Sequence, residues 1–222
     1  MTQKSIVILI SGSGTNLQAI IDAVNEGRIN ARIAAVISNR ADAKGLQRAR
    51  QARINTIVVD AKNHDDRVSY DQALVSAIDE IDPDLIVLAG FMRILSDMFI
   101  DHYQGRIMNI HPSLLPEFKG LHTHLRALEA SKRVHGASVH FVNNELDSGP
   151  VVIQAEVPVL ENDTEQSLAA RVLQQEHKIY PMAIAWYIDG RLKTNDNNVL
   201  LDDKILLRPA LWKVDQLFTP EQ

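Results

Sequence analysis

The feature that most constrains the fold is a short apolar run that ends in a glycine-rich turn. Residues 6–10 (Ile-Val-Ile-Leu-Ile) form an unbroken, β-branched run, and Ser11-Gly12-Ser13-Gly14 follows it directly. Such a run is typical of a strand buried on both faces of a parallel sheet. Apolar residues then recur at helical spacing from Leu17 to Val24, with Thr15 or Asn16 as the predicted helix cap.

This strand–turn–helix pattern recurs through the first half of the chain. Further buried strands are predicted at 33–37, 56–59 and 85–88, with helices near 45–52 and 67–81. Strands that alternate with helices favour right-handed crossovers and a parallel sheet. We therefore predict an α/β, Rossmann-like fold: a mainly parallel sheet with helices on both faces.

The second half mixes shorter strands with helices. We predict strands at 106–110, 137–142 and 150–158, a helix at 122–130, a long helix at 164–186 that is either continuous or divided near Pro181, and a hairpin at 192–207. The chain is predicted to be one domain, 1–222. It comprises a phosphate-binding half to about residue 100, a catalytic half from about 101 to 190, and a tail, 191–222.

Composition narrows the classes of function. The net charge is −5 and the chain contains no cysteine, so we predict neither a broad nucleic-acid-binding face nor disulfide or thiolate chemistry. The first apolar run is too short for a signal peptide, and the run at 85–92 is too short to cross a bilayer. We expect a soluble cytoplasmic protein with no membrane partner.

The glycine-rich turn has the outline of an anion site. Glycines let the backbone approach a ligand, and a helix N-terminus offers free N–H groups. The alternative is a purely structural turn. Leu17 replaces the third glycine of a dinucleotide fingerprint, and Asn39 and Arg40 stand where an acidic residue would follow the second strand, so a monophosphate fits better than a pyrophosphate.

Asn109 and His111 form the most informative pair. On a strand, residues two apart project from one face, so an amide donor and an imidazole would point into one space. Asp147, in a tight turn, would stabilise the imidazolium if it reached His111. The alternatives are a histidine satisfied within its loop and a simple turn. His122 and His124 could ligate a metal, although no third ligand is evident.

Together these segments resemble the phosphoribosylglycinamide formyltransferases, within the folate-dependent formyltransferase superfamily. The likeness runs from about Ile6 to about Leu192. It rests on several motifs in order: Ile10 to Ile20; Leu88 to Leu95; Asn109-Ile110-His111-Pro112-Ser113-Leu114-Leu115-Pro116; Gly120 to His124; His135 to His140; Glu145 to Pro150; and Gln175-Glu176-His177 with Tyr180-Pro181.

The resemblance implies a formyl transfer to glycinamide ribonucleotide in purine synthesis, with 10-formyltetrahydrofolate as donor and no metal. It implies that Asn109, His111 and Asp147 are catalytic. It implies ribonucleotide binding by Gly14, Thr15, Asn16 and Glu176. It implies folate binding by Arg67, Met92, Arg93, Ile94, Leu95, Asn109, Asn143, Asn144, Glu145, Leu146 and Asp147. Leu173 departs from the family, in which glutamine is common at that position.

Alternative functions remain open at this stage. A formyltetrahydrofolate hydrolase would use the same catalytic trio, but an extra N-terminal domain is expected of it. A formyltransferase acting on tRNA would need a basic extra domain. A non-catalytic nucleotide sensor could share the fold. Partners are expected to be small molecules, and the oligomeric state is open between a monomer and a homodimer.

Overall fold

The computed structural model describes residues 3–195 and 198–213. The chain forms two compact units, residues 1–109 and 110–222. The strand β5 (Ile107–His111) carries the chain from the first unit into the second. The parts of the predicted hairpin and tail that fall on 196–197 and 214–222 lie outside the described residues.

The first unit is a parallel sheet with intervening helices. Its elements are β1 (Ser5–Ile10), α1 (Thr15–Asn25), β2 (Arg32–Ser38), α2 (Lys44–Gln51), β3 (Thr56–Val58), α3 (Arg67–Asp79), β4 (Leu85–Leu88) and α4 (Asp97–His102). The strands pair in parallel in the order β3-β2-β1-β4-β5. Every residue of β1 and β4 is buried, as their unbroken apolar runs predict.

The second unit has mixed strand directions. It contains α5 (Thr123–Glu129), β6 (Val134–Phe141), β7 (Val151–Pro158), α6 (Glu165–Ile188), β8 (Leu192–Asn195), β9 (Asn198–Leu201), β10 (Lys204–Ile205) and β11 (Ala210–Trp212). Strand β7 pairs antiparallel with β6 and parallel with β11, while β8, β9 and β10 form an antiparallel sheet. The predicted fold, a mainly parallel Rossmann-like sheet with mixed strands towards the C-terminus, is confirmed.

Helix α6 is continuous, so the alternative of two helices is wrong. Thr164 and Ser167 form a capping box at its start, and Pro181 lies buried inside it. Proline lacks the N–H that would bond one turn back, yet the helix continues because its apolar face packs against β6 and β7. This packing positions Glu176, which is buried on α6.

Candidate functional site

The glycine-rich turn begins the helix α1, and its geometry differs from the prediction at one point. Gly14 is the N-cap, with φ of 70°, and no side chain caps the helix. The prediction that Thr15 or Asn16 is the cap is therefore wrong. The positive φ at this N-cap is readily adopted by glycine, and the N-terminal end of the helix dipole favours an anion.

A cavity of about 500 Å³ opens at this turn. All its lining residues belong to the first unit: Ser11, Gly12, Ser13, Gly14, Thr15, Asn16, Asn39, Arg40, Ala89, Gly90 and Met92. The cavity therefore brings together the phosphate-loop residues and Met92 of the predicted folate set. Asn39 and Arg40 also line the cavity. The sequence indicated only that they replace the acidic residue of a dinucleotide site and did not predict their position here.

Helix α2 supports the turn from one side. The amide N–H of Gly45 donates to the carbonyl of Gly12 at 3.0 Å, and Arg48 Nε donates to the carbonyl of Ser13 at 2.9 Å. A Cβ placed on Gly14 would lie 2.6 Å from the Cα of Gly45. The turn and α2 thus approach each other backbone to backbone, and Arg48 adds a positive charge beside the turn that is predicted to bind an anion.

Replacing Gly14 with alanine should weaken binding of phosphate-bearing ligands. The new methyl group would press on Gly45 while the residue kept an unfavourable positive φ, so the turn would have to move. We expect the dissociation constant of glycinamide ribonucleotide, the ligand that the resemblance implies, to rise at least about tenfold when measured calorimetrically. Gly27→Ala is the control, because Gly27 also has positive φ but no neighbour within 4 Å. Equal affinity in both variants would contradict the assignment.

His111 and Asp147 lie side by side in the second unit, a contact that the sequence alone left open. His111 Nδ1 lies 3.4 Å from Asp147 Oδ2, and the two side chains are 7% and 9% exposed. Asp147 adopts φ of 48°, in a turn before Gly149, where a Cβ would lie 1.9 Å from the carbonyl oxygen of Phe141. Only glycine allows this approach, which brings the Asp147 turn against the end of β6.

Asp147 has two further neighbours. The amide N–H of Gly120 donates to Asp147 Oδ2 at 2.9 Å, and His140 Nε2 lies 3.8 Å from Oδ1. Burial lowers the pKa of His140, so its ring is held neutral. The carboxylate is therefore held by one backbone donor and flanked by two imidazoles. Sequence analysis predicted no role for His140, because its alternating pattern is that of an ordinary strand residue.

The other nitrogen of His111 is also engaged. His111 Nε2 lies 3.0 Å from the carbonyl oxygen of Phe118. The loop that contains Phe118 is itself anchored: Arg126 Nη1 donates to the Lys119 carbonyl at 2.6 Å, and Thr123 Oγ1 donates to the Pro112 carbonyl at 2.7 Å. Both ring nitrogens of His111 thus face partners within the chain. Hydrogen bonds within the chain therefore anchor the segment 112–124 at several points.

Asn109 is half-buried on β5, two residues before His111. The two-residue period of a strand places both side chains on one face, as predicted. Glu176 is buried, and so is its neighbour Gln175, whose Oε1 has no hydrogen-bond partner among the described residues. Gln175 belongs to a motif that carries the family resemblance, but no role was predicted for it.

The predicted folate residues are mostly at the surface. Met92 and Ile94 are 70% and 60% exposed, Leu146 is 56% exposed, and Leu95 is buried. Arg67 begins α3, while the Arg93 guanidinium lies 4.3 Å from the ring centre of Tyr70. Exposed apolar side chains of this kind are typical of ligand-binding surfaces.

His122 and His124, the histidines considered as metal ligands, do not lie together in a group of metal-binding side chains among the described residues. His122 is exposed, and His124 Nδ1 bonds His135 Nε2 at 3.2 Å. Within residues 3–195 and 198–213 there is no group of three or more histidine, aspartate or glutamate side chains arranged to hold a metal ion. In the same residues, no helix is both long and apolar enough to cross a membrane.

The buried His135 makes stability pH-dependent. Burial and the neighbouring His124 lower the pKa of His135 from 6.5 to about 4. Between these values the unfolded chain binds a proton that the folded chain does not, so stability is full above about 6.5 and is lost as pH falls towards 4. We expect the free energy of unfolding, measured by urea titration at a series of pH values, to fall over this range. It should fall less steeply with pH in His135→Asn than in the wild type. An equal dependence on pH in the two proteins would contradict the assignment.

Comparisons with known proteins identify the family. The family model described as "Formyl transferase" matches residues 4–184. The phosphoribosylglycinamide formyltransferase of Escherichia coli K12 is 56% identical over 202 residues, which cover 91% of this chain and 95% of that one. This chain belongs to the formyl transferase family.

Other relatives of this formyl transferase agree. The phosphoribosylglycinamide formyltransferase of Haemophilus influenzae is 50% identical over 91% of this chain and 96% of its own. The solved phosphoribosylglycinamide formyltransferase of Coxiella burnetii superposes with a TM-score of 0.89 at 50% identity, covering 92% of this chain and 96% of that one. A formyltetrahydrofolate deformylase from Pseudomonas syringae, at 24% identity and a TM-score of 0.84, shares the fold.

Proposed function

We propose that the protein transfers the formyl group of 10-formyltetrahydrofolate to the amine of 5-phosphoribosylglycinamide, giving formylglycinamide ribonucleotide and tetrahydrofolate in purine (IMP) synthesis. The observation that carries the proposal is the buried His111–Asp147 pair on a chain of this family, with Asn109 two residues earlier. The named relatives at 50% and 56% identity support the transferase over the hydrolase.

The cavity of the first unit supports a ribonucleotide phosphate. Gly14, Thr15 and Asn16 begin α1, where backbone N–H groups and the helix dipole favour a dianion. Arg48, bonded to the Ser13 carbonyl, adds charge without occupying the cavity. We assign the ribose hydroxyls to Glu176, a buried carboxylate able to accept two hydrogen bonds.

The reaction needs an oxyanion donor and a route for one proton. The substrate amine attacks the formyl carbon, and a tetrahedral oxyanion forms. Asn109 and protonated His111 donate hydrogen bonds to it, while Asp147 stabilises the imidazolium from the other side of the ring. The intermediate then collapses: the carbonyl re-forms, the bond between the formyl carbon and the folate nitrogen breaks, and the amine proton reaches that nitrogen through water. No covalent enzyme intermediate and no metal are required.

The Phe118 carbonyl must give way in this mechanism. Its oxygen lies 3.0 Å from His111 Nε2, the nitrogen that faces away from Asp147. For Nε2 to donate to the oxyanion, the loop must shift or the ring must exchange partners. Asp147 orients His111 through the contact at Nδ1, 3.4 Å from its carboxylate oxygen. The geometry described is therefore a resting arrangement of the catalytic pair.

For the folate carrier we assign the predicted set: Arg67, Met92, Arg93, Ile94, Leu95, Asn109, Asn143, Asn144, Glu145, Leu146 and Asp147. The exposed apolar side chains of Met92 and Ile94 support it, because a pterin needs an apolar face to stack on. The cytoplasm is the proposed location, and the oligomeric state is left open.

The test is dependence of turnover on the ribonucleotide. Purified protein is mixed with 10-formyltetrahydrofolate, and carrier absorbance is followed with and without glycinamide ribonucleotide. The proposal predicts turnover only with the ribonucleotide, and no change when a chelator is added. Formate release without it would establish a hydrolase instead. Tight ribonucleotide binding without turnover would establish a sensor.

A further inference from the structure

Ser11 stands at the junction of two segments that the proposed function assigns to different ligands. It directly follows β1 and opens the glycine-rich turn, and it is 6% exposed. The segment 90–95 directly follows Ala89 at the end of β4 and includes the predicted folate residues from Met92 to Leu95. Both segments belong to the first unit, and no role has been assigned to Ser11 itself.

Two hydrogen bonds join Ser11 to this second segment. The Ser11 amide N–H donates to the Gly90 carbonyl at 3.1 Å, which extends the β1–β4 ladder past the end of both strands. The Met92 amide N–H donates to Ser11 Oγ at 2.8 Å. The Ser11 side chain thus adds a second bond beside that of its backbone, and it accepts from Met92, which lies beyond the end of β4.

The far end of the same segment is anchored separately. The Ser96 amide N–H donates to Asp71 Oδ2 at 2.6 Å, and Arg93 stacks on Tyr70 at 4.3 Å. Asp71 and Tyr70 are buried on α3. The segment is therefore tied at both ends, with the exposed side chains of Met92 and Ile94 presented between the two ties.

We propose that Ser11 is a positioning residue for the folate carrier: its hydroxyl holds the Met92 backbone so that segment 90–95 keeps the conformation that binds the pterin. This inference rests on the proposed function. Ser11, although it lies in the turn assigned to the ribonucleotide, would therefore affect the affinity for the folate carrier. Gly90, with φ of 72°, turns the chain towards Ser11 and makes this contact reachable.

Ser11→Ala removes the acceptor of the Met92 N–H and keeps the backbone bond to Gly90. Without this hydrogen bond the Met92 backbone is held less firmly, and segment 90–95 keeps the binding conformation less often. We therefore expect the KM for 10-formyltetrahydrofolate to rise about five- to fifty-fold. The KM for the ribonucleotide and kcat should stay within about twofold, because the N–H groups of the turn are unchanged. The control is Ser5→Ala, at the other end of β1 and 5% exposed.

A readout independent of catalysis accompanies the kinetics. Hydrogen–deuterium exchange of a peptide spanning 90–95 should be faster in Ser11→Ala than in the wild type and in Ser5→Ala. Faster exchange with a raised KM for the carrier alone supports the inference. Unchanged exchange overturns it, and so does a raised KM for the ribonucleotide alone, which would make Ser11 a phosphate ligand. A wild-type protein without formyl transfer would instead overturn the proposed function, and the exchange result would still decide whether Ser11 holds Met92.

Discussion

Replacing Asn109 with alanine should lower kcat about a hundred- to a thousand-fold, the usual cost of losing one oxyanion donor. Asn109 is half-buried on β5 and shares a strand face with His111. Its amide is the neutral donor of the proposed pair, and an alanine supplies none. The KM values should change little, because the donor acts on a charge that develops only in the transition state.

Two further variants sharpen this prediction. Asn109→Asp keeps the shape but offers an ionised oxygen in place of a donor, so it should be impaired at least as much. Asn63→Ala, at an exposed position outside the proposed site, is the control and should turn over at the wild-type rate. Single-turnover rates measure the chemical step directly. A near-wild-type rate in Asn109→Ala would remove Asn109 from the mechanism.

Replacing Asp147 with asparagine should lower kcat about a hundred- to ten-thousand-fold. Asparagine tolerates the φ of 48° at this position, and its amide oxygen can still accept from Gly120 N–H. What it loses is the negative charge 3.4 Å from His111 Nδ1. Without that charge the proposed site loses the group that orients His111 and offsets the positive charge of its ring during the reaction.

A matched control separates this role from a structural one. Asp163→Asn removes the charge of another carboxylate: that side chain is 3% exposed and bonds Arg171 at 2.7 Å, away from the proposed site. It should lose stability and keep the wild-type kcat, whereas Asp147→Asn should lose kcat. A wild-type kcat in Asp147→Asn would refute the role of Asp147.

The sequence predicted the parallel sheet well because apolar runs report burial directly. The strands β1 and β4 are short, unbroken and fully buried. The helix α4, Asp97–His102, was missed, because it has only six residues and too few apolar positions to show a period. The cap of α1 was misassigned, since a left-handed Gly14 needs no side-chain oxygen.

The candidate site was predictable in its residues but not in its contacts. Asn109 and His111 are close in sequence, so strand periodicity places them together. Asp147 reaches His111 through a turn whose tight packing depends on Gly149, which no periodicity reveals. Every residue has a backbone carbonyl, so residue identity does not indicate which backbone group will bond a given side chain. For that reason the Phe118 carbonyl on His111 and the Met92 amide on Ser11 could be found only in the structure.

The most direct test of the account follows the formyl group itself. The protein is given 10-formyltetrahydrofolate labelled with carbon-13 in its formyl group, together with glycinamide ribonucleotide, and the products are identified by mass spectrometry. The account predicts the label in formylglycinamide ribonucleotide, with one equivalent of tetrahydrofolate formed. Label recovered as formate, with the ribonucleotide unchanged, would contradict it.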